Sequence, residues 1–355
     1  MLQRPLELAD AKNVDRWESE EMRISNLIEC ATCFSVLASL MTVPSALDAS
    51  VNAAALRDPL AIAVGGPHVW VTSGVNASIT EIAAASGKIL RVLDNEPASR
   101  TPSTAIAASG NKVWVTNPGD DSVTEIDALN GVVLRVISGK NGGLDHPNGI
   151  AANGSRVWIS NADSVSVLNA SNGSLVKVIK SRQDRLSGAD GIAIDNSNVW
   201  VLNPNFNSIT ELDESTGHLV RVIGSRVDKF DGPSSIAFGR GYVWVTSNFG
   251  RAVTELNEST GTVVRVLTFP DTTGYDSPNR IMAEGLYVWV TSLNSVFELS
   301  ASSGAVTRVF HANVGHFEAP FDMAISGYYL WVTNSAGNSV SEVNALNGSL
   351  IHLIR

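Results

Sequence analysis

Cysteine is almost missing from this chain. Its two cysteines, Cys30 and Cys33, stand near the N-terminus, and residues 34–355 have none. No disulfide framework holds the body of the protein, which suits an oxidising or a reducing compartment equally. The Cys-x-x-Cys spacing has no second pair to complete a zinc site and no βαβ context for a redox role, so the two thiols read as part of an apolar segment. Charge is also scarce, at 17% of residues, and aromatics make up only 6%. So little charge argues against a helical bundle, and abundant Gly, Ser, Thr and Asn point to short strands joined by tight turns. The net charge is −10, with −4 in residues 1–56 and −6 in the remainder. That acidic balance argues against a broad phosphate-binding face.

Long hydrophobic runs are missing too. The apolar stretch CATCFSVLASLMTVPSAL, residues 30–47, is interrupted by Ser and Thr and is too short to span a bilayer, so no transmembrane span is expected. Residues 1–56 read as an extension that is either disordered or put to one of two uses. One is a short helix around Arg16 to Leu27. The other is an export signal read from Met22, which has a basic start and an apolar centre but carries Glu29. An export signal places the protein outside the cytoplasm; the alternative leaves it inside.

What the chain does have is a period. Tryptophans fall at positions 70, 114, 158, 200, 244, 289 and 331, spaced 42 to 45 residues apart, and only Trp17 lies outside the series. Each sits in one phrase: HVWVTS, KVWVTN, RVWISN, NVWVLN, YVWVTS, YVWVTS, YLWVTN. Within each unit the period-2 alternation marks four strands. The first is rich in small residues (TAIAAS), the second carries Trp, the third reads SVTEID, and the fourth reads VVLRVI. A repeat of this length with four strands predicts an all-β, seven-bladed β-propeller over residues 57–355, with four antiparallel strands per blade. The small strand belongs at the axis, and Trp between neighbouring blades.

A fixed offset supports this reading. A base follows the third-strand acid by ten residues in Glu81/Arg91, Glu125/Arg135, Glu211/Arg221, Glu255/Arg265 and Glu298/Arg308. Val167/Lys177 and Glu342/His352 are the variants. Turns such as DALNG and NESTG lie between, with Gly supplying positive φ, so each acid should stand opposite its base. These charges read as structural, protecting an outer edge strand from pairing with other chains. The first unit begins with its own inner strand and the last ends with its own fourth strand. Ring closure therefore rests on packing blade one against blade seven, with the N-terminal segment across the seam.

The phrases VWVTN, SVTEIDALNG and VVLRVI resemble the YVTN-type β-propeller repeat, over all seven units. Propellers related to that type include surface-layer and cell-wall proteins, a nucleic-acid-binding protein, NHL-repeat proteins and streptogramin lyase. The resemblance implies a rigid disc that binds on one face, through the loops between strands two and three and between blades. It does not choose among functions, and no histidine–glutamate set of the lyase type can be matched here.

The candidate residues lie nine and ten positions before each Trp, where they should ring the channel mouth. Asn148, Asp190, Asn279, Arg280 and Asp322 are the polar ones. The phrases PNGIA and ADGIAID, carrying Asn148 and Asp190, look like the metal-binding phrases of gluconolactonase-type propellers and imply a divalent cation such as calcium. The glutamate which that pattern needs in the first blade is replaced by Leu60-Ala61, and Asn-Gly or Asp-Gly equally suits a tight turn. One further concentration, Arg182, Arg185, Arg226, Lys229 and Phe230, combines bases with an aromatic on successive loops beside blade four. It is a candidate single-strand nucleic-acid patch, offset by Asp184, Asp228 and Asp231. The favoured reading is a monomeric, non-enzymatic recognition platform that needs no cofactor. It binds a protein, polymer or small ligand at the channel mouth. A metal-dependent hydrolase or lyase and a nucleic-acid binder are the alternatives.

Overall fold

Seven four-stranded antiparallel sheets form the structure, each built from four consecutive strands. The computed structural model describes residues 55–93, 102–180, 185–195, 197–224, 230–269 and 277–355. The expected helix or signal in the N-terminal extension, the cysteine pair, and Arg182, Arg226 and Lys229 lie outside the described residues. Blade one comprises Pro59–Gly65, His68–Ser73, Ile79–Ala83 and Ile89–Leu93, and blade seven ends with Leu350–Ile354. No strand is exchanged between blades. No helix among the described residues is long and apolar enough to cross a membrane.

The register explains the repeated text. Across each sheet one row runs outward from the axis: Ala237 opposes Trp244, Trp244 opposes Glu255, and Glu255 opposes Arg265. The same row appears as Ala107–Trp114–Glu125–Arg135 and as Ala324–Trp331–Glu342–His352. Side chains in one row share one face of the sheet, and that face packs on the next blade. Trp244 of blade five contacts Val288, Val290 and Leu299 of blade six, and Trp331 of blade seven contacts Val69, Val71 and Ile82 of blade one. The two apolar residues flanking each Trp thus present the opposite face to the preceding blade. All seven tryptophans are essentially buried. At about 25 cal/mol per Å² and roughly 150–250 Å² per ring, each contributes about 4–6 kcal/mol of burial.

Ring closure repeats the same interface. Ala55 and Leu56 join Trp331 in the core of the seam. Hydrogen bonds cross the same seam, from Thr333 Oγ1 to the Leu60 carbonyl (2.7 Å) and from the Asp58 amide to Asn338 Oδ1 (2.8 Å).

The acid–base pairs form as expected, but their role differs from edge protection. The third-strand glutamates are buried, and the fourth-strand bases fold inward onto them, as in Arg265 Nε–Glu255 Oε2 at 2.5 Å and Arg135 Nε–Glu125 Oε2 at 2.8 Å. The bases then reach onward to turn carbonyls of the next blade. Arg221 donates to Ser259 (2.9 Å), Arg265 to Ser302 (3.1 Å), Arg308 to Ala345 (2.9 Å) and Lys177 to Thr216 (2.6 Å). Each pair is therefore a latch between blades, and the charge is spent inside the ring. The outer edge is managed instead by a β-bulge that recurs in every blade beside the third-strand acid, as between Glu211 and Leu212 and between Glu255 and Leu256, and beside Val167 in blade three.

The turns receiving these latches need glycine. Gly131 has φ +69°, and a Cβ there would lie 2.6 Å from Glu81 Oε2 in the preceding blade. The opening Asp or Asn caps the turn. Asp213 accepts from the Thr216 and Ser215 hydroxyls (2.6 and 2.7 Å), and these bonds hold its carboxyl down to about 2.

Burial pushes the Glu255 carboxyl up, and Arg265 opposes that shift. Removing Arg265 leaves a carboxylate buried opposite no charge, which should cost about 3 kcal/mol. Arg265→Ala is expected to lower the denaturation midpoint strongly, and adding Glu255→Gln should restore part of the loss. Arg91→Ala should cost less, because His68 also sits on Glu81 at 2.8 Å. Chemical denaturation of these three variants and of Glu255→Gln alone checks this; strictly additive losses at Glu255 and Arg265 would contradict the latch.

Candidate functional site at the channel mouth

The threonine of the VWVT phrase sets the mouth. From the end of the second strand it hydrogen-bonds the backbone ten residues before the next blade's Trp. Thr246 Oγ1 donates to the Asn279 carbonyl (2.8 Å) and Thr291 Oγ1 to the Phe321 carbonyl (3.3 Å); Ser160 Oγ donates to the Asp190 carbonyl. Such hydroxyl bonds pin the backbone of the mouth to the next blade at five junctions of the ring, counting Thr333 to Leu60 and Thr104 to Asn148.

Those side chains enclose a cavity of about 270 Å³ to which all seven blades contribute. Asn148, Asp190, Arg280 and Asp322 line it together, and the last three are its charged residues. Asn279 does not join them. It lines a neighbouring groove of about 530 Å³ with Asn248, Arg251 and Leu293, and the Phe321 ring is a wall common to both. Asn279 stands one residue outward of Arg280, and its amide and carbonyl are committed to Thr291 and Thr246.

Arg280 is held in place. Its Nη1 donates to the Ser234 carbonyl at 2.6 Å, and its guanidinium lies over Phe321, 4.8 Å from the ring centre. Asp322 accepts from the Ile62 amide across the blade seven–one seam (3.1 Å) and from the Met323 amide (2.9 Å). The Asp190 carboxylate accepts no hydrogen bond from a described residue, and its charged neighbour is Arg280. Asn148 Nδ2 donates to the Ala189 carbonyl at 3.4 Å. Both aspartates are partly buried and line the cavity. Burial raises both carboxyls above the ordinary range, and Arg280 draws them part of the way back.

This donor set suits calcium poorly. The cation takes six to eight oxygens. The mouth offers the Asn148 amide oxygen and two carboxylates, one already bonded to two backbone amides, while a fixed guanidinium supplies positive charge in the same field. Elsewhere, Asp121, Asp145 and His146 are close enough to share a cation. Their side chains are largely exposed, and His146 Nδ1 already lies 3.2 Å from Asp145 Oδ1.

The nucleic-acid patch needs correction. Phe230 is 2% exposed and packs among Trp200, Leu202, Val243 and Val245, so its ring is core and is not offered for base stacking. Of the four bases, Arg185 alone lies within the described residues, where it is exposed.

The large apolar residues that do reach solvent on the mouth face escaped attention in the sequence. The loops between strands two and three lie on this face, because the start of the first strand pairs with the end of the second, as in Pro233 opposite Ser247. On consecutive blades four, five and six these loops expose Phe206 (48%), Phe249 (81%) and Leu293 (58%). The signal was a single large apolar residue inside a polar loop, NPNFNS or SNFGRA.

No protein-family model and no curated protein matches the chain. Solved structures do. Streptogramin B lyase superposes with a TM-score of 0.67 at 16% identity, covering 80% of this chain and 93% of the other. A hydrazine synthase structure of Kuenenia stuttgartiensis gives 0.69 at 17% identity, covering 81% and 96%. The WD40 repeats of RRP9 give 0.66 at 13% identity, covering 79% and 88%. At such identities the likeness is one of fold: the chain is a seven-bladed β-propeller, similar to enzymes and to WD40 repeats alike.

The raised carboxyls have a pH signature. A carboxyl whose folded value lies above its unfolded value favours the protonated folded state. Stability from Asp190 and Asp322 therefore rises as pH falls through the window between their raised values and the ordinary 3.8. Asp190→Asn is expected to flatten the acid-side gain in melting temperature relative to the wild type. Identical slopes in the two proteins would show that Asp190 titrates normally.

Proposed function

We propose that this protein is a non-enzymatic recognition platform of the YVTN-repeat type, binding its ligand at the channel mouth. The repeated VWVTN and SVTEIDALNG phrases support that repeat type. The observation that carries the functional reading is the division of labour between rows and rims. The Ala–Trp–Glu–base row recurs with few exceptions, whereas the mouth positions differ from blade to blade and bring Asp190, Arg280 and Asp322 into one cavity. Strands hold and rims recognise. The cavity's side chains offer charge complementarity and hydrogen bonds; its hydroxyls, Thr104, Ser234 and Ser235, have no imidazole, thiol or amine among the described lining residues to activate them. In this reading no divalent cation is required.

Peptide and oligosaccharide arrays probed with the full chain and with Asp190→Asn test the proposal, alongside an ester and lactone turnover screen and calorimetric titration of calcium. Array binding lost in the variant, with no turnover and no stoichiometric calcium heat, is expected. Turnover or calcium binding that disappears in Asp190→Asn would move the protein to the metal-dependent hydrolase class.

A further inference from the structure

We propose that the ligand of this mouth is a basic side chain, arginine or lysine, presented on an extended segment of a partner protein, with a neighbouring apolar residue of that segment seated on Phe249 and Leu293. The inference rests on the platform reading and adds the chemistry of its occupant.

Charge comes first. Among the described residues lining the mouth there are two carboxylates and one guanidinium, so one negative charge is left uncompensated when both acids are ionised. The two acids are not equivalent. Asp322 is satisfied by the Ile62 and Met323 amides and is part of the seam. Asp190 has no donor of its own among the described residues, while its backbone is fixed by Ser160 and Leu202. A rigid carboxylate facing a cavity without its own donor is a receptor for one. Arg280 does not meet that need, because its Nη1 is committed to Ser234 and its plane to Phe321. A partner's cation entering the cavity finds Asp190 on one side and Asn148, an amide able to accept through Oδ1, on the adjacent blade. A cavity of about 270 Å³ has room for one long side chain rather than a folded surface. The chain's net charge of −10 favours the approach of a basic segment over an acidic one.

The second observation is apolar and independent of charge. Phe249 is 81% exposed and lies over Gly232, where a Cβ would come within 2.4 Å of its ring. A bare glycine beneath an exposed ring gives that ring a flat seat, the arrangement of an aromatic anchor at an interface. Leu293, on the next blade, is 58% exposed and lines the groove that shares Phe321 with the mouth. The groove therefore adjoins the mouth at Phe321 and reaches Leu293 and the Asn248 and Arg251 neighbours of Phe249. A segment laid along it places its basic residue in the mouth and a nearby apolar residue against Leu293 and Phe249.

The test uses the full chain and a fluorescein-labelled heptapeptide library with arginine or lysine at one position and leucine or phenylalanine nearby, read by fluorescence polarisation. Selected peptides are remade with citrulline, which keeps the shape of arginine and removes its charge. Citrulline is expected to weaken binding by about tenfold or more. Asp190→Asn should do the same, with little further loss when the two changes are combined. Phe249→Ser, a surface change, should weaken arginine and citrulline peptides by the same factor. Asp322 is left intact because it closes the seam. Equal binding of arginine and citrulline peptides, still weakened by Phe249→Ser, would overturn the cation and keep the platform. Oligosaccharide binding sensitive to Asp190→Asn, with no peptide bound, would overturn the peptide and keep the platform. Failure of every array ligand to respond to either variant would overturn both.

Discussion

A buried carboxylate cannot stand alone, and in this protein that constraint organises the ring. In six of the seven blades a glutamate lies within the sheet next to the tryptophan. An arginine stands opposite it on the outer strand in five of these blades, and His352 does in blade seven. The base is long enough to neutralise the acid and still donate to a turn of the following blade. Blade three, with Val167 in place of the acid, keeps the reach through Lys177 and gives up the ion pair. Tryptophan does the larger part of the burial, but hydrophobic contact has no direction. The latch has direction, and with the inner hydroxyl bonds it fixes how far one blade is rotated against the next.

That rotation is what makes a mouth. Once the inner strands are locked at their starts by Thr246, Thr291, Thr333 and Ser160, seven backbone segments that are distant in sequence face one axis. Asp190, Arg280 and Asp322 come from blades four, six and seven and meet over a span of more than 130 residues. Each is held differently: one by a seam, one by a carbonyl and a ring, one by its backbone alone. The least satisfied of the three is Asp190, whose carboxylate accepts no hydrogen bond from a described residue.

Much of this was legible in the text of the chain. The tryptophan spacing counts the blades, and the ten-residue offset sets the register that pairs Glu81 with Arg91 and Glu255 with Arg265. The fixed distance from Trp placed Asn148, Asp190, Arg280 and Asp322 at the mouth, because a strand's length in residues is also its length in space. Asn279, at the same distance from its Trp as Asn148 and Asp190, lines the neighbouring groove instead, a difference that the spacing could not show. Phe230 failed because a loop residue beside charges can fold back under them; its fate depended on an open core between blades four and five. The purpose of the bases was misread for a related reason. Their partners across the strand follow from local spacing, but their partners in the next blade follow from the angle between blades.

The sequence alone determined the strands, their number, their pairing and the seven-fold repeat, because these depend on contacts within about forty-five residues, the length of one unit. The tertiary structure decided which charges are satisfied and which have no partner among the described residues, which aromatic is core and which is exposed, and that cavity and groove share Phe321. Those outcomes depend on the distance between blades, and that distance follows from the closure of the whole ring.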